Sequence, residues 1–145
     1  MRTATLNDLP EILTELKSFA SFFGSKTSLY GDDDYPEKFI SGLIQDHLFL
    51  VAVMENKIVG LIAGMRLPHV FNPKIMTLTE IFWWVNPEYR NTRAGALLLK
   101  EYVDFGKKNV DWIICTIEDG SPVNENTFYK RGFKLKEKSF LMEVN

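Results

Sequence analysis

The sequence predicts a mixed α/β fold of the α+β kind: one central, mostly antiparallel sheet of about six to seven strands, with helices on both faces. Three observations lead there. Apolar spacing switches between period 2 and period 3.6 in the order β-α-α-β-β-β-α-β-α-β-β. Strand-sized runs such as Leu48-Phe49-Leu50-Val51-Ala52-Val53-Met54 are nearly all apolar and ask for cover on both faces. The length of 145 residues, 46% apolar and 25% charged, suits one hydrophobic core, so residues 1–145 are read as one domain.

Each element has its own signal. A short strand near Arg2 to Ala4 precedes Asn7 to Phe22, where Leu9, Ile12, Leu13, Leu16, Phe19 and Ala20 fall at helical spacing and Asn7 or Asp8 is available as N-cap. A polar stretch from Gly24 to Asp34 follows. Tyr35 to Gln45 reads as a second helix with Pro36 in its first turn. His47 to Met54 and Ile58 to Met65 form a hairpin signal around Glu55-Asn56, with Asn suited to positive φ. A loop holding Pro68, His69, Phe71, Asn72 and Pro73 leads to a strand from Met76 to Val85, ended by Asn86-Pro87. Arg93 to Lys108 is helical, Trp112 to Ile117 a buried-looking strand, Asn124 to Arg131 a short helix stopped by Gly132, and Phe133 to Val144 one or two closing strands. Strand, helix, strand from Met76 to Ile117 is a parallel crossover, which makes the sheet mixed.

Composition narrows the function. Seventeen basic against nineteen acidic residues give a net charge of −2, without the basic stripe that phosphate neutralisation needs, so nucleic acid is not an expected partner. No apolar run approaches the roughly 18 to 20 residues of a membrane span, and the opening Met1-Arg2-Thr3-Ala4-Thr5 does not read as a signal peptide. The lone Cys115 excludes an internal disulfide and multi-cysteine zinc patterns and suits a reducing compartment, so a cytoplasmic location is expected. No metal is expected: Asp32-Asp33-Asp34 opens no calcium loop, since Leu43 stands where a bidentate Glu is needed.

The most informative stretch is Val85-Asn86-Pro87-Glu88-Tyr89-Arg90-Asn91-Thr92-Arg93-Ala94-Gly95-Ala96, a strand-to-helix junction built with small residues. Unpaired N–H groups and the macrodipole at a helix N-terminus attract an anion, and Ala94 and Gly95 permit close approach of a diphosphate. Arg90 and Arg93 would add charge, and Thr92 could donate to a phosphate oxygen while capping the helix. The plain alternative is a capped turn with two solvated arginines.

Val85-x-Pro87-x-Tyr89-Arg90-x-x-x-x-Gly95 resembles the pyrophosphate signature of the GCN5-related N-acetyltransferases: Arg or Gln, two residues, Gly, one residue, then Gly or Ala. Arg90 and Gly95 match; Arg93 takes the place of the first glycine. The resemblance extends to Ala4-Thr5-x-x-Asp8-Leu9-Pro10, Lys57-Ile58-Val59-Gly60 and Phe128-Tyr129-Lys130-Arg131-Gly132-Phe133. Pro68-His69-x-Phe71 and Glu80-Ile81 resemble small phage-encoded members. The resemblance implies acetyl-CoA as donor, its diphosphate on Arg90, Asn91, Thr92, Arg93, Ala94, Gly95 and Ala96, and its pantetheine between two splayed parallel strands. Phe82, Trp83, Trp84 and Val85 would supply the wall and a polarising amide, with Asn124 as a further donor contact.

Direct transfer to an amine needs a base. Glu80, amid Leu78, Ile81, Phe82 and Trp83, is the candidate, since desolvation would raise its pKa; the alternative is a glutamate facing the other side and paired with a cation. Tyr129 resembles the family's general acid, but two residues separate it from Gly132-Phe133 where the family has three, so Phe128 or water is the alternative. His69 lies where the mouth of the acceptor site is expected, though a loop histidine is more often a hydrogen-bonding fixture. Asp32, Asp33 and Asp34 would attract a cationic amine, or else form a solvated acidic cap. Cys115 reads as a small hydrophobe. The expected activity is N-acetyl transfer from acetyl-CoA to a primary amine: a small amine, a peptide N-terminus or a lysine. The rival is a CoA-binding or protein-interaction module without turnover. The apolar closing segment Phe140 to Val144 would serve a homodimer.

Overall fold

Entry to the first helix is set by Thr5 and Asp8 rather than by an Asn7 cap. The computed structural model describes residues 1–22 and 29–144. In it, strand β1 (Arg2–Thr3) leads to a 3-10 turn, Leu6–Asp8, and then helix α1 (Leu9–Phe22). The Thr5 N–H donates to the Asp8 carboxylate at 2.7 Å, and the Arg2 guanidinium grips both carboxylate oxygens at 2.7 and 2.8 Å. That fork holds the Asp8 carboxyl well below the usual carboxylate range. The chain gathers into two compact units, Met1–Cys115 and Thr116–Asn145.

In the first unit, helix α2 (Asp34–Asp46) starts after Asp33; Gly24 and its neighbours through Ser28 lie outside the described residues. Strands β2 (Leu48–Met54) and β3 (Lys57–His69) form the expected hairpin, and Glu55 and Asn56 take φ of 51° and 60°. Strand β4 (Asn72–Val85) starts earlier than the spacing implies. The loop expected around Pro68 is in fact the tip of a second hairpin: Pro68 pairs with Met76 and His69 with Asn72. The register shifts between Pro68 and His69, and such a bulge tolerates a proline that a regular central ladder would not. Helix α3 (Ala94–Asn109) then crosses to β5 (Trp112–Ile114), which runs parallel to β4.

The sheet order is β1-β2-β3-β4-β5, antiparallel throughout except for β4 and β5. Among the described residues it has five strands, not six to seven. Helix α4 (Asn126–Tyr129) stands in the second unit, where Gly132 ends the turn at φ 89°. Residues 133–144, expected to close the sheet, form no ladder in the described structure, and Phe140, Leu141 and Met142 are 93%, 84% and 83% exposed. Apolar spacing says that a segment suits a strand; it does not supply the neighbour whose N–H and C=O groups make one. Among the described residues no helix is long and apolar enough to cross a membrane.

Side-chain alternation explains the two faces. On β3, Leu61 and Ala63 point into a core shared with Ile12, Leu13 and Leu16 of α1 and Ile40 and Leu43 of α2. A Cβ on Gly60 or Gly64 would instead point toward Leu98 or Tyr102 of α3. Helices therefore cover both faces of the first unit's sheet, as the apolar strands require. On β4 the rule changes partway. Ala63 pairs with Phe82 and Gly64 with Glu80, so Ile81 is an extra residue between them. Before this bulge the even-numbered Leu78 faces α3; after it, Phe82 and Trp84 enter the α1–α2 core and Val85 lies against Gly60 and Gly95.

Candidate active site

The bulge decides where Glu80 points. With Leu78, two residues earlier, packed on α3, Glu80 shares that face, and its charge reaches the Tyr102 hydroxyl and the Cys115 thiol. Burial first, then the charges of Cys115 and Glu80, push the Tyr102 hydroxyl far above its ordinary pKa. Burial, helped by Glu80, likewise raises the Cys115 thiol, which keeps it protonated and poorly nucleophilic. Three titratable groups from β4, α3 and the end of β5 therefore gather on one side of the sheet. Glu80 is partly buried, as the sequence suggested. Tyr102 has no place in the sequence reading beyond a helix face; an all-apolar-looking stripe hides its hydroxyl.

Beside these groups β5 ends at Ile114 while β4 continues. Their pairing covers only Thr77 with Trp112, Leu78 with Ile113 and Thr79 with Ile114, while β4 runs on to Val85. Backbone groups of residues 80–85 on the edge away from β3 thus lie beyond the β4–β5 ladder. Past Val85, Asn86 caps a 3-10 turn, Pro87–Tyr89, by accepting the Glu88 N–H at 3.1 Å. Asn86 itself is fixed twice: its N–H donates to the Val59 carbonyl at 2.8 Å, and its side-chain amide donates to Glu15 at 3.1 Å.

Arg90 braces this scaffold. Its Nε donates to the Val85 carbonyl at 3.0 Å, and its guanidinium lies 4.8 Å from the ring centres of both Phe22 and Trp84. Thr92 likewise turns inward: its hydroxyl donates to the Tyr89 carbonyl at 2.6 Å and accepts the Ala94 N–H at 3.2 Å. Expected as the cap of the helix, Thr92 takes up the N–H of Ala94, the first residue of α3, but the cap position belongs to Arg93, and the Thr92 proton points at a carbonyl. Arg93, the residue before α3, is exposed, as are Asn91 and Ala96. The first backbone bond of α3 runs from the Leu97 N–H to the Arg93 carbonyl at 3.0 Å, so the Gly95 and Ala96 amides precede it and have no acceptor within the helix. A Cβ on Gly95 would stand 3.3 Å from Val85 and 3.8 Å from Trp83, which makes the glycine a packing residue of the helix start.

The aromatic run divides between faces. Phe82 and Trp84 are 8% and 3% exposed in the α1–α2 core, with Phe82 edge-on to Phe19 and Phe49. Trp83 stands on the other face, near Gly95. The Trp84 indole N–H donates to the buried Glu15 carboxylate at 2.9 Å. Sequence reasoning missed Glu15, although a signal existed: it sits on the apolar stripe of Ile12, Leu16 and Phe19, where an acid needs partners. Glu15→Ala is expected to cost about 1–3 kcal/mol by leaving the Trp84 and Asn86 donors without their acceptor, measured by urea denaturation.

Other expected site residues are held by local partners. The Asp33 carboxylate accepts the Tyr30 hydroxyl at 2.8 Å and pairs with Lys17 at 3.1 Å, contacts that lower its pKa. Desolvation and Asp33 push Tyr30 up to about 12. Asp32 accepts the Asp34 N–H at 3.1 Å. Of the three acids only the Asp32 side chain takes up an N–H at the start of α2; Asp33 holds the cap position with its carboxylate turned to Tyr30 and Lys17, and Asp34 is the first helical residue. His69 accepts the Phe71 N–H at 3.2 Å and packs edge-on to Trp112 at 4.9 Å, which is the fixture the loop position suggested. In the second unit, the Asn124 side chain accepts the N–H of Asn126, the first residue of α4, at 2.9 Å, and the exposed Tyr129 hydroxyl donates to Glu125 at 3.2 Å, which raises its pKa. Phe128 packs edge-on to Phe133 at 5.5 Å.

Known structures share this fold over nearly the whole chain. A transcriptional regulator from Bacillus halodurans C-125 is 18% identical with a TM-score of 0.77, covering 99% of this chain and 97% of its own. The ribosomal-protein-alanine N-acetyltransferase of Brucella melitensis biovar Abortus 2308 is 18% identical with a TM-score of 0.75, over 98% and 95% of the two chains. An aminoglycoside acetyltransferase from an uncultured soil metagenomic sample, solved with trehalose, is 18% identical with a TM-score of 0.72, over 98% and 93%. At such identities the likeness shows the fold. No curated protein sequence matches the chain. The match that reaches activity is to a family model, and it places the chain among the acyl-transferring enzymes. The chain belongs to the acetyltransferase (GNAT) family, whose model matches residues 11–133, and it is an acetyltransferase.

Proposed function

We propose that the chain transfers the acetyl group of acetyl-CoA to a primary amine, within one N-acetyltransferase-like domain of residues 1–145. The observation that carries the reading is the end of the β4–β5 ladder at Thr79 and Ile114, with Glu80 as the next residue of β4 and the β4 edge running on to Val85. The amine nitrogen attacks the thioester carbonyl carbon, the carbon–sulfur bond breaks, and the amine's extra proton passes to Glu80 directly or through water. The departing thiolate takes a proton from Tyr129 or from water. Ile81, left out of the β3 pairing, offers its backbone N–H to the carbonyl oxygen as charge develops.

The diphosphate is assigned to the start of α3. Supporting this are the Gly95 and Ala96 amides ahead of the first helical bond and the exposed Arg93 beside them. Arg90 braces the loop through its Nε on the Val85 carbonyl and keeps its terminal N–H groups for phosphate, whereas the single donor of Thr92 serves the Tyr89 carbonyl. Trp83 and Val85 wall the pantetheine, and Asn124 remains a proposed donor contact. Acceptors of neighbours with this fold include an aminoglycoside and a ribosomal-protein alanine by name; a cationic amine drawn by the acidic loop and the His69 tip is the class proposed here. A cytoplasmic homodimer, similar to small phage-encoded members, belongs to the same reading.

Calorimetric titration of acetyl-CoA into the folded protein tests it. Binding is expected, and Arg93→Ala should weaken it about tenfold, the scale of one charge-assisted contact, with the melting temperature unchanged. No binding by folded protein overturns the donor assignment. Binding without turnover over a panel of amines favours the module that holds CoA and transfers nothing.

A further inference from the structure

The side chain of Tyr102 reaches the sheet at the end of the β4–β5 ladder. The ring is fully buried, and its hydroxyl lies 3.4 Å from the Leu78 carbonyl and 3.3 Å from the Ile114 carbonyl. One carbonyl belongs to each strand. Ile114 is the last β5 residue paired with β4, and Leu78 lies one residue before its partner Thr79. A single hydroxyl proton serves both acceptors, which accounts for two long contacts in place of one short one.

Three features show that the position is built for this ring. Gly64 of β3 has no Cβ because Tyr102 occupies that space: a Cβ there would meet the ring at 2.7 Å and the hydroxyl at 2.8 Å. Gly64 is itself paired with Glu80, so the phenol lies beneath the residue before the bulge. Glu80 and Cys115 both act on the hydroxyl electrostatically, which puts the groups at the head of the cleft within one small volume.

The geometry points to Tyr102 as a positioning residue: its hydroxyl ties β4 to β5 at the last paired residues and so fixes how deep the donor cleft runs and where Glu80 stands. This rests on the donor reading above, but the tie is a property of the free protein. Without the hydroxyl, the Leu78 and Ile114 carbonyls lose a shared donor, and the two strands are free to part earlier or to pair further.

Tyr102→Phe, which removes only the hydroxyl, is the test, read by amide hydrogen exchange in the ligand-free protein and by acetyl-CoA titration. The expected result is exchange at least tenfold faster confined to residues 78–82 and 113–115, with acetyl-CoA bound about tenfold more weakly. Val103→Ala, a buried truncation on the same helix, controls for general loosening. Unchanged local exchange in Tyr102→Phe overturns the tie. The same local pattern in Val103→Ala also overturns it, since packing alone would then suffice. Faster local exchange with undiminished acetyl-CoA affinity overturns the link between the tie and cleft depth. If the wild-type protein binds no acetyl-CoA, the donor reading falls, while the exchange comparison still decides whether the tie exists.

Discussion

Glu80→Gln is expected to lower kcat for amine acetylation by about 10²- to 10⁴-fold, the range that a positioned base contributes, while leaving the acetyl-CoA dissociation constant within about twofold. The substitution keeps the shape and the partial burial of the side chain but removes its ability to take a proton. The proposed donor site uses the backbone edge of β4 and the start of α3, and leaves that carboxylate to the acceptor amine. Steady-state kinetics with calorimetry on the same preparations separates the two effects. Loss of binding together with turnover would make Glu80 a structural acid of the cleft. Unchanged turnover would remove it from the mechanism and leave water near the bulge as the base.

The second large effect is expected from the smallest substitution. Gly64→Ala places a methyl group 2.7 Å from the Tyr102 ring and 2.9 Å from Leu78, distances that real contacts do not sustain. Both neighbours are fully buried, so neither can swing toward solvent. Overpacking of this kind costs about 1–3 kcal/mol and should lower the melting temperature by roughly 3–10 °C. Because the displaced ring is the one that joins Leu78 and Ile114, donor affinity should fall as well. Differential scanning calorimetry and acetyl-CoA titration report the two parts. A melting temperature unchanged within error would mean that the ring has room to retreat. By contrast, a methyl group on Gly42 would meet nothing within 4 Å, so Gly42→Ala is the natural control.

Much of the fold was legible because it depends on local rules. Glu55-Asn56 announced a tight hairpin, the helix expected over Arg93 to Lys108 runs from Ala94 to Asn109, and Gly132 stopped the last helix at positive φ. Elements that depend on a distant partner were less legible. Residues 133–144 carry the right side chains for a strand, yet a strand is a relation between two segments, and in the described structure no second segment completes it. Pro68 looked like a loop residue because prolines leave ladders; the bulge beside it removes that objection.

At the site, the arginine and the threonine of the signature loop were visible as residue types, but their direction was not. The sequence marks Arg90 as a charge for phosphate; that its Nε also braces the Val85 carbonyl beside two rings is seen only in the fold. The Ile81 bulge has no sequence signal, and with it goes the face on which Glu80 lies. Glu15 and Tyr102 were hidden for a common reason: each sits on an apolar helix stripe, and its polar atoms find partners far along the chain.

The setting of Arg90 has a consequence for how the signature tolerates exchange. The position accepts arginine or glutamine across the family, a pair with different charge and length. What they share is a flat end group that carries an N–H. The rings of Phe22 and Trp84, each centred 4.8 Å from the guanidinium carbon, offer faces to a planar group, and the Val85 carbonyl asks only for a hydrogen, whoever brings it. Lysine has the charge of arginine and lacks the plane. By this criterion the first letter of the signature describes a shape that braces the turn.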